Sequence, residues 1–224
     1  MSEKEILDAL RSLGTEQNQK VYRRHGVTDD MFGVSYADLE KLRKKIKLDH
    51  QLAEKLWATG NHDARILATM IADARQMTDS EIENWSKDLN NYVVTDAFAK
   101  LIALSPAARK KMERWTKSKS EWTGRAGWLL AGMLAMQNEE LTDDYFENQL
   151  EMIESRIHTA KNRVRDAMNS ALIAIGLRNA RLEKKALAAA ARIGRVEVDH
   201  GETGCKTPDA ADYIRKAAAR RKKK

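Results

Sequence analysis

The segment NNYVVTDAFAKL, residues 90–101, places a carboxylate and an aromatic ring one helical turn apart. At about 100° per residue, Asp96 and Tyr92 project from the same side of a helix. That side is small and neutral apart from Asp96, although the sequence as a whole is rich in Lys and Glu. A fixed carboxylate beside an aromatic ring can stabilise a developing positive charge and orient a water molecule. The alternative is a surface ion pair between Asp96 and Lys100.

The same projection predicts which face of this helix packs in the core. The expected core face is an apolar stripe: Val93, Val94, Ala97, Phe98 and Leu101. Thr95 and Ala99 then fall on the other side, together with the carboxylate and the ring.

A second segment, SKSEWTGRAGWLLAGML at 118–134, carries Arg125 three residues after Trp122. The planar guanidinium of arginine suits a phosphate or a carboxylate, and an ion pair with Glu121 is the alternative. Glycines interrupt this predicted helix at three positions: Gly124, Gly127 and Gly132. Each costs about 1 kcal/mol relative to alanine, so we expect another backbone or a ligand to approach closely there.

Helical signals surround both segments. Thr78 stands three residues before Glu81, which is capping-box spacing, and Thr142 precedes two acids. Thr207 precedes Pro208, a pattern typical of an N-cap followed by the first helical residue. We predict roughly a dozen helices of about 8 to 18 residues joined by short loops.

The predicted fold class is all-α, with an α-α superhelix (α-solenoid) of stacked helix pairs of about 40 residues. A compact all-α bundle is the competing architecture. We expect one domain over 1–214 and a basic C-terminal tail over 215–224. The only hint of extended chain is RVEVDHG, residues 195–201.

The charge distribution limits what can be concluded about partners. The formal net charge is +7, and the last ten residues, RKAAARRKKK, hold seven basic groups and no acid. Without them the chain is formally neutral, so any nucleic-acid surface on the body must come from local patches. A tail of this kind can bind phosphates or remain a solvated end.

Other bulk features favour a cytoplasmic protein without a membrane role. The single cysteine, Cys205, excludes an internal disulfide, and the N-terminus has no apolar signal core. The longest apolar run, residues 127–136, is shorter than the about 20 residues that a bilayer requires.

Four segments together resemble, in their order, the DNA alkylation repair family of AlkD-like bacterial alkylpurine DNA glycosylases. They are YRRHGVTDDMFGVSYADLEKLRKKIKLDHQLAEKLW, HDARILATMIAD, NYVVTDAFAK and WTKSKSEWTGRAGWLL. The resemblance implies HEAT-like helical repeats and hydrolysis of the N-glycosidic bond of cationic N3- or N7-alkylpurines. It also implies double-stranded DNA containing alkylated bases as the partner, a monomer and no cofactor.

The resemblance assigns roles to particular residues. Asp96 matches the family's catalytic aspartate, four positions after an aromatic that is Tyr92 here and usually tryptophan in the family. Arg125 after Trp122 matches the family's essential arginine, which would hold the phosphate beside the lesion and place sugar C1′ against the carboxylate. In the late helix, Ser170 stands where the family has a second tryptophan.

Further substrate contacts are expected around that late helix. Together with Tyr92 and Trp122, the predicted substrate-binding residues are Asn169, Lys161, Arg163 and Arg165. Basic residues elsewhere could also face DNA, although a solvated helix face explains each of them: Arg23, Arg24, Lys44 and Lys45.

The segment VDHGETGCKTPDA, 198–210, contains four side-chain types that can bind metal, but its spacing matches no standard zinc arrangement. We interpret it as a polar connector and predict no metal site. Two other functions stay open: a non-catalytic HEAT-like module that binds damaged or branched DNA, and a protein-binding α-solenoid.

Overall fold

A computed structural model describes residues 1–221, and in this range the chain is helical with no β-strand. The described range holds thirteen α-helices and one 3₁₀ turn, at Ile157–Thr159. The helices are α1 Glu3–Leu13, α2 Glu16–Arg24, α3 Tyr36–Ile46, α4 His50–Ala58, α5 His62–Ile71, α6 Asp79–Lys87, α7 Tyr92–Ala103, α8 Ala108–Trp115, α9 Glu121–Gln137, α10 Asp143–Arg156, α11 Asn162–Gly176, α12 Ala180–Ile193 and α13 Ala210–Arg221. Helix lengths of 8 to 17 residues agree with the sequence prediction.

Side-chain caps explain where most helices begin. Thr78 and Glu81 form the predicted capping box on α6, and Thr142 caps α10 through the backbone N–H of Tyr145. The predicted cap on the last helix is wrong. Asp209 accepts from the backbone N–H of Asp212 at 2.8 Å, so the helix starts later than the Thr207–Pro208 pattern indicates.

The chain divides into two compact units. The first holds Met1–Ala107 with Gly201–Thr203, and the second holds Ala108–His200 with the described residues from Gly204 onward. Residues 215–221 of the predicted tail continue α13, whereas 222–224 lie outside the described residues. None of the helices within 1–221 combines the length and apolar character that crossing a membrane requires.

Helix α7 is oriented in the first unit by an aromatic cluster. The indole rings of Trp57 and Trp85 stack with 4.2 Å between centroids, and the ring of Phe98 lies 5.9 Å from that of Trp57. Burying these rings fixes the rotation of α7 about its axis. Tyr92 and Asp96 are left half-buried on another side of the helix.

The fully buried face of α7 is rotated relative to the predicted stripe. Thr95 and Ala99 are fully buried, whereas Val93 and Ala97 are only half-buried. Thr95 tolerates burial because its hydroxyl donates to the carbonyl of Asn91 at 2.7 Å, which satisfies its polar group inside the core.

In the second unit, α9 and α11 form the most extensive helix–helix contact. The glycines of α9 allow the close approaches that the sequence predicted, Gly124 and Gly132 toward α11 and Gly127 toward the end of α8. A Cβ on Gly127 would lie 2.5 Å from the backbone nitrogen of Thr116, and one on Gly132 would lie 3.3 Å from Cβ of Ala174 on α11. Gly124 faces Val164 at the start of α11, at 3.1 Å.

Replacing Gly127 with alanine should destabilise the protein by about 1–3 kcal/mol, because the added methyl meets backbone that cannot yield cheaply. The gain of about 1 kcal/mol in helix propensity offsets only part of this loss. Urea unfolding of purified Gly127→Ala measures the effect.

Gly132→Ala is the matched control, since its methyl would meet side-chain and backbone carbons of α11 at 3.3–3.4 Å and needs only a small shift. Equal stabilities of the two variants would contradict a backbone constraint at Gly127.

Candidate functional site

In the first unit, a buried carboxylate organises the loop between α2 and α3. Asp63 is fully buried and accepts from three consecutive backbone N–H groups, those of Phe32 at 2.6 Å and of Gly33 and Val34 at 2.9 Å each. Three such bonds compensate for the cost of burying this charge. The carbonyl of Val34 in turn accepts from the hydroxyl of Tyr22 at 2.6 Å.

This loop and its helices place phenol and imidazole groups around the carboxylate of α7. The hydroxyl of Tyr92 is hydrogen bonded to Nδ1 of His25, and the two rings meet edge to face at 5.8 Å. Tyr36 begins α3 and stays 46% exposed. Its pKa is raised to about 12 by desolvation, by Tyr22 and by the negative charge of Asp96.

The surroundings of Asp96 do not match the alternative of an ion pair with Lys100, which the sequence had left open. Lys100 is exposed, and no ion pair joins it to Asp96 within residues 1–221. The carboxylate instead influences Tyr36, a residue 60 positions away in sequence that no local spacing could have indicated. Aromatic rings close to an anion form a setting in which a cation is stabilised.

His62 also contacts the loop between α2 and α3. It is 1% exposed, its backbone N–H donates to the carbonyl of Asp30 at 2.8 Å, and its ring lies 5.3 Å from that of Tyr22. Burial lowers the pKa of His62 below its ordinary value of 6.5.

In the second unit, Arg125 is buried and paired, with only 5% of its surface exposed. Its Nη1 donates to Oδ2 of Asp166 on α11 at 2.7 Å and to the carbonyl of Arg163 at 3.1 Å. Glu121, the partner that the sequence suggested, instead accepts from the backbone N–H of Arg163 at 2.7 Å. Helix α11 has no N-cap side chain of its own, so this carboxylate from α9 serves its N-terminus.

Asp166 was not identified from the sequence as a partner, because it lies 41 residues from Arg125. Trp122 is half-buried one turn before the arginine, and Ser170 is exposed on α11 with its hydroxyl donating to the carbonyl of Asp166 at 3.1 Å. Position 170, where the resemblance predicted a tryptophan in the family, presents a small hydroxyl in this chain.

Three side chains on one face of α11 hold an irregular segment, here called the strap, which comprises residues 195–200 and 204–209. Asn162 exchanges two hydrogen bonds with the backbone of Asp199, at 2.7 and 2.8 Å. Arg165 donates to the carbonyl of Glu197 at 2.8 Å, and Asn169 donates to that of Pro208 at 3.0 Å. Arg165 and Asn169, two of the predicted substrate-binding residues, thus each donate to a backbone carbonyl of the strap.

The strap borders a cavity of about 900 Å³ with a mixed lining of acids, bases and amides. Asn169 is 1% exposed, and its Oδ1 has no hydrogen-bond partner in the described part of the chain. His200 is hydrogen bonded to the hydroxyl of Thr207 at 2.9 Å, and Cys205 is exposed. The two remaining predicted substrate-binding residues lie at the start of α11. Lys161 is exposed at its N-cap, and Arg163 is half-buried.

One group of potential metal ligands in the described residues was missed by sequence reasoning. Ligand atoms of His50, Glu54 and Glu81 lie within 4.8 Å of one another. The pKa of Glu54 is raised because its carboxyl shares a hydrogen bond with Glu81. Glu81 is already engaged as the capping-box carboxylate of α6, which accounts for its position without a metal.

A family model described as DNA alkylation repair enzyme matches residues 6–214. The chain belongs to this family. Two relatives are similar over nearly their whole length: the uncharacterized protein Lmo0209 of Listeria monocytogenes, 30% identical over 95% of this chain and 96% of its own, and the uncharacterized protein Lin0241 of Listeria innocua, 29% identical over 94% and 95%.

A solved structure is similar to this DNA alkylation repair family member with a TM-score of 0.90 and 30% identity, covering 98% of this chain and 95% of that one. It is described as "a new family of proteins related to the HEAT-like repeat DNA glycosylases with affinity for branched DNA structures". The predicted all-α fold of HEAT-like repeats is therefore confirmed.

Asp166→Ala should cost about 3 kcal/mol of unfolding free energy, because it leaves the buried guanidinium of Arg125 without its anion. Chemical denaturation monitored by far-UV circular dichroism provides the measurement.

The control is Asp144→Ala, which removes an ion pair with Arg181 whose side chains are 55% and 76% exposed and which should cost less than about 1 kcal/mol. A loss for Asp166→Ala no larger than this control would show that the buried pair does not stabilise the fold.

His62 should make stability depend on pH. Below about pH 6.5 His62 binds a proton in the unfolded chain but not in the folded one. The full unfolding free energy is therefore present above the ordinary pKa, and part of it is lost as pH falls. Between pH 7 and pH 5, the wild type should lose more unfolding free energy than His62→Gln in urea titrations. Identical pH profiles for the wild type and His62→Gln would exclude His62 as the source.

Proposed function

We propose that this protein binds branched or distorted DNA through its helical repeats. The observation that carries the proposal is the likeness to the solved structure over 98% of the chain, since that protein's family is described by its affinity for branched DNA. Membership of the DNA alkylation repair family supports DNA as the partner. Binding of this kind depends on phosphate contacts and is therefore sensitive to salt.

The geometry of the second unit supports binding rather than efficient base excision. A phosphate clamp needs a guanidinium that is not already neutralised, yet the buried Arg125 is held by Asp166 at 2.7 Å. An arginine in this position can orient α11 and contribute little net charge to DNA. The serine at position 170 also removes an aromatic surface on which a lesion could rest.

The second candidate function is hydrolysis of the N-glycosidic bond of cationic N3- or N7-alkylpurines, and the carboxylate among the tyrosines favours it. The alkylated base carries positive charge and leaves without needing a general acid. Asp96 would stabilise the oxocarbenium that develops on the sugar and orient the water whose oxygen bonds to C1′. Tyr92 and Tyr36 would add cation–π stabilisation of order 0.5–2 kcal/mol.

A four-way DNA junction should bind at least about tenfold more tightly than a linear duplex of the same length. Fluorescence anisotropy over a salt series measures both affinities, and the Asp96→Asn variant should show the same preference because a carboxylate is not needed to bind phosphates. Equal affinity for the two DNAs would contradict the proposed function.

The excision candidate is tested on methylated duplex DNA by chromatography of released 7-methylguanine and 3-methyladenine. Release by the wild type that disappears in Asp96→Asn would establish hydrolysis at this carboxylate. Asp73→Asn is the control for loss of one carboxylate elsewhere in the first unit. Junction binding without any released base would leave the binding function and exclude the enzymatic one.

A further inference from the structure

A cavity of about 480 Å³ lies in the second unit, between the loop that follows α8 and the turn that precedes α11. This volume falls within the range of about 300–1,000 Å³ that is typical of ligand sites. We call it the basic cavity; it is lined by Thr116, Lys117, Ser118, Lys119, Trp128, Arg156, Thr159, Ala160, Lys161, Val164 and Met168.

The lining of the basic cavity holds four cationic side chains and no acid: Lys117, Lys119, Arg156 and Lys161. All four are exposed, and none has an ion-pair partner among residues 1–221. Three acids lie near this end of the helices. Glu113 interacts electrostatically with Lys117 but is paired with Arg109, Glu121 accepts from the start of α11, and Asp166 pairs with Arg125. Four clustered cations with no acid in the cavity lining repel one another, and an anion in the cavity reduces that repulsion.

The backbone that carries these cations is well fixed. Thr116 is buried and its hydroxyl donates to the carbonyl of Met112 at 2.9 Å, while the hydroxyl of Ser118 accepts from the backbone N–H of Ser120 at 3.1 Å. On the other side, the guanidinium of Arg165 donates to the carbonyl of Ala160 at 3.0 Å. A ligand would therefore need to order only side chains, which keeps the entropic cost of binding low.

The remaining lining identifies the class of ligand. Trp128, Val164 and Met168 give the cavity an apolar floor, and the hydroxyls of Ser118 and Thr159 add neutral hydrogen-bonding groups. A basic rim above an apolar floor matches an anionic phosphate joined to a sugar, whose ring carbons are apolar.

We propose that the basic cavity binds one phosphate–sugar unit of a DNA strand, independently of sequence. The proposal rests on the DNA-binding function proposed above and assigns it a contact in the second unit. Lysines act here as point charges on the phosphate, and the bound strand releases the counterions that accompanied it.

The test compares two double variants that each remove two positive charges. Lys119→Gln with Lys161→Gln alters the basic cavity, whereas Lys184→Gln with Lys216→Gln alters exposed residues of α12 and α13 outside its lining. Junction affinity is measured by fluorescence anisotropy from about 50 to 200 mM salt. The cavity variant should lower the slope of log affinity against log salt by about 1–2 and weaken binding about tenfold at the lowest salt, since each phosphate contact contributes about 0.9 to the slope.

The outcomes separate the two proposals. A cavity variant that binds with the wild-type slope, or that changes no more than the control variant, overturns the basic cavity as a DNA contact and leaves DNA binding intact. A wild type that binds neither DNA overturns both. Because all four substituted lysines are exposed, both variants should keep the wild-type thermal unfolding midpoint. If the cavity double variant has a lower thermal unfolding midpoint than the wild type, Lys119→Gln alone is measured. An unchanged slope of log affinity against log salt in that single variant overturns the proposal.

Discussion

The second unit depends on how closely α9 and α11 approach each other. Glycines on α9 remove the side chains that would hold the helices apart, and the buried Arg125–Asp166 pair spans the contact that results. Burying a charge is favourable only where its partner and hydrogen bonds are in place, so the pair requires this spacing. The start of α11, the strap and the basic cavity are all positioned by the same contact.

In the first unit, a single buried carboxylate pairs the polar groups of a loop. Asp63 satisfies three backbone amides that a buried loop would otherwise leave unpaired. The chain around that loop carries His25, which is hydrogen bonded to Tyr92, and Tyr36, whose pKa responds to the charge of Asp96. The aromatic environment of Asp96 thus follows from a residue that belongs to the core of α5. Two separate interactions therefore build the candidate site of this unit. Asp63 anchors the loop, and Phe98 packs against the stacked indoles to fix α7, the helix that carries Asp96.

Local signals in the sequence predicted much of this structure. Caps at Thr78 and Thr142 depend on neighbouring residues only. Glycines within α9 predict that another segment approaches the helix closely, whichever segment that is. The all-helical fold follows from the same kind of signal repeated along the chain. These features could be predicted because their causes lie within one or two helical turns.

What could not be predicted depends on contacts between distant segments. Helix periodicity suggested Glu121 for Arg125, but the choice of Asp166 needs α9 and α11 to be packed first. Likewise, the sequence pattern of Arg165 and Asn169 is compatible with contacts to DNA. Only the path of the strap shows that each of them donates to one of its backbone carbonyls. The cap at Asp209 was missed because Thr and Asp are both good caps and tertiary packing decides between them.

The strap has a practical consequence, because it carries the chain's single cysteine. Cys205 is exposed and lies between the residues that Asn162 and Asn169 hold against α11. A fluorophore attached to this thiol would label one defined position without any engineered residue. Its mobility would report, on the timescale of the dye, whether the strap stays attached to α11 or detaches while the helices remain folded.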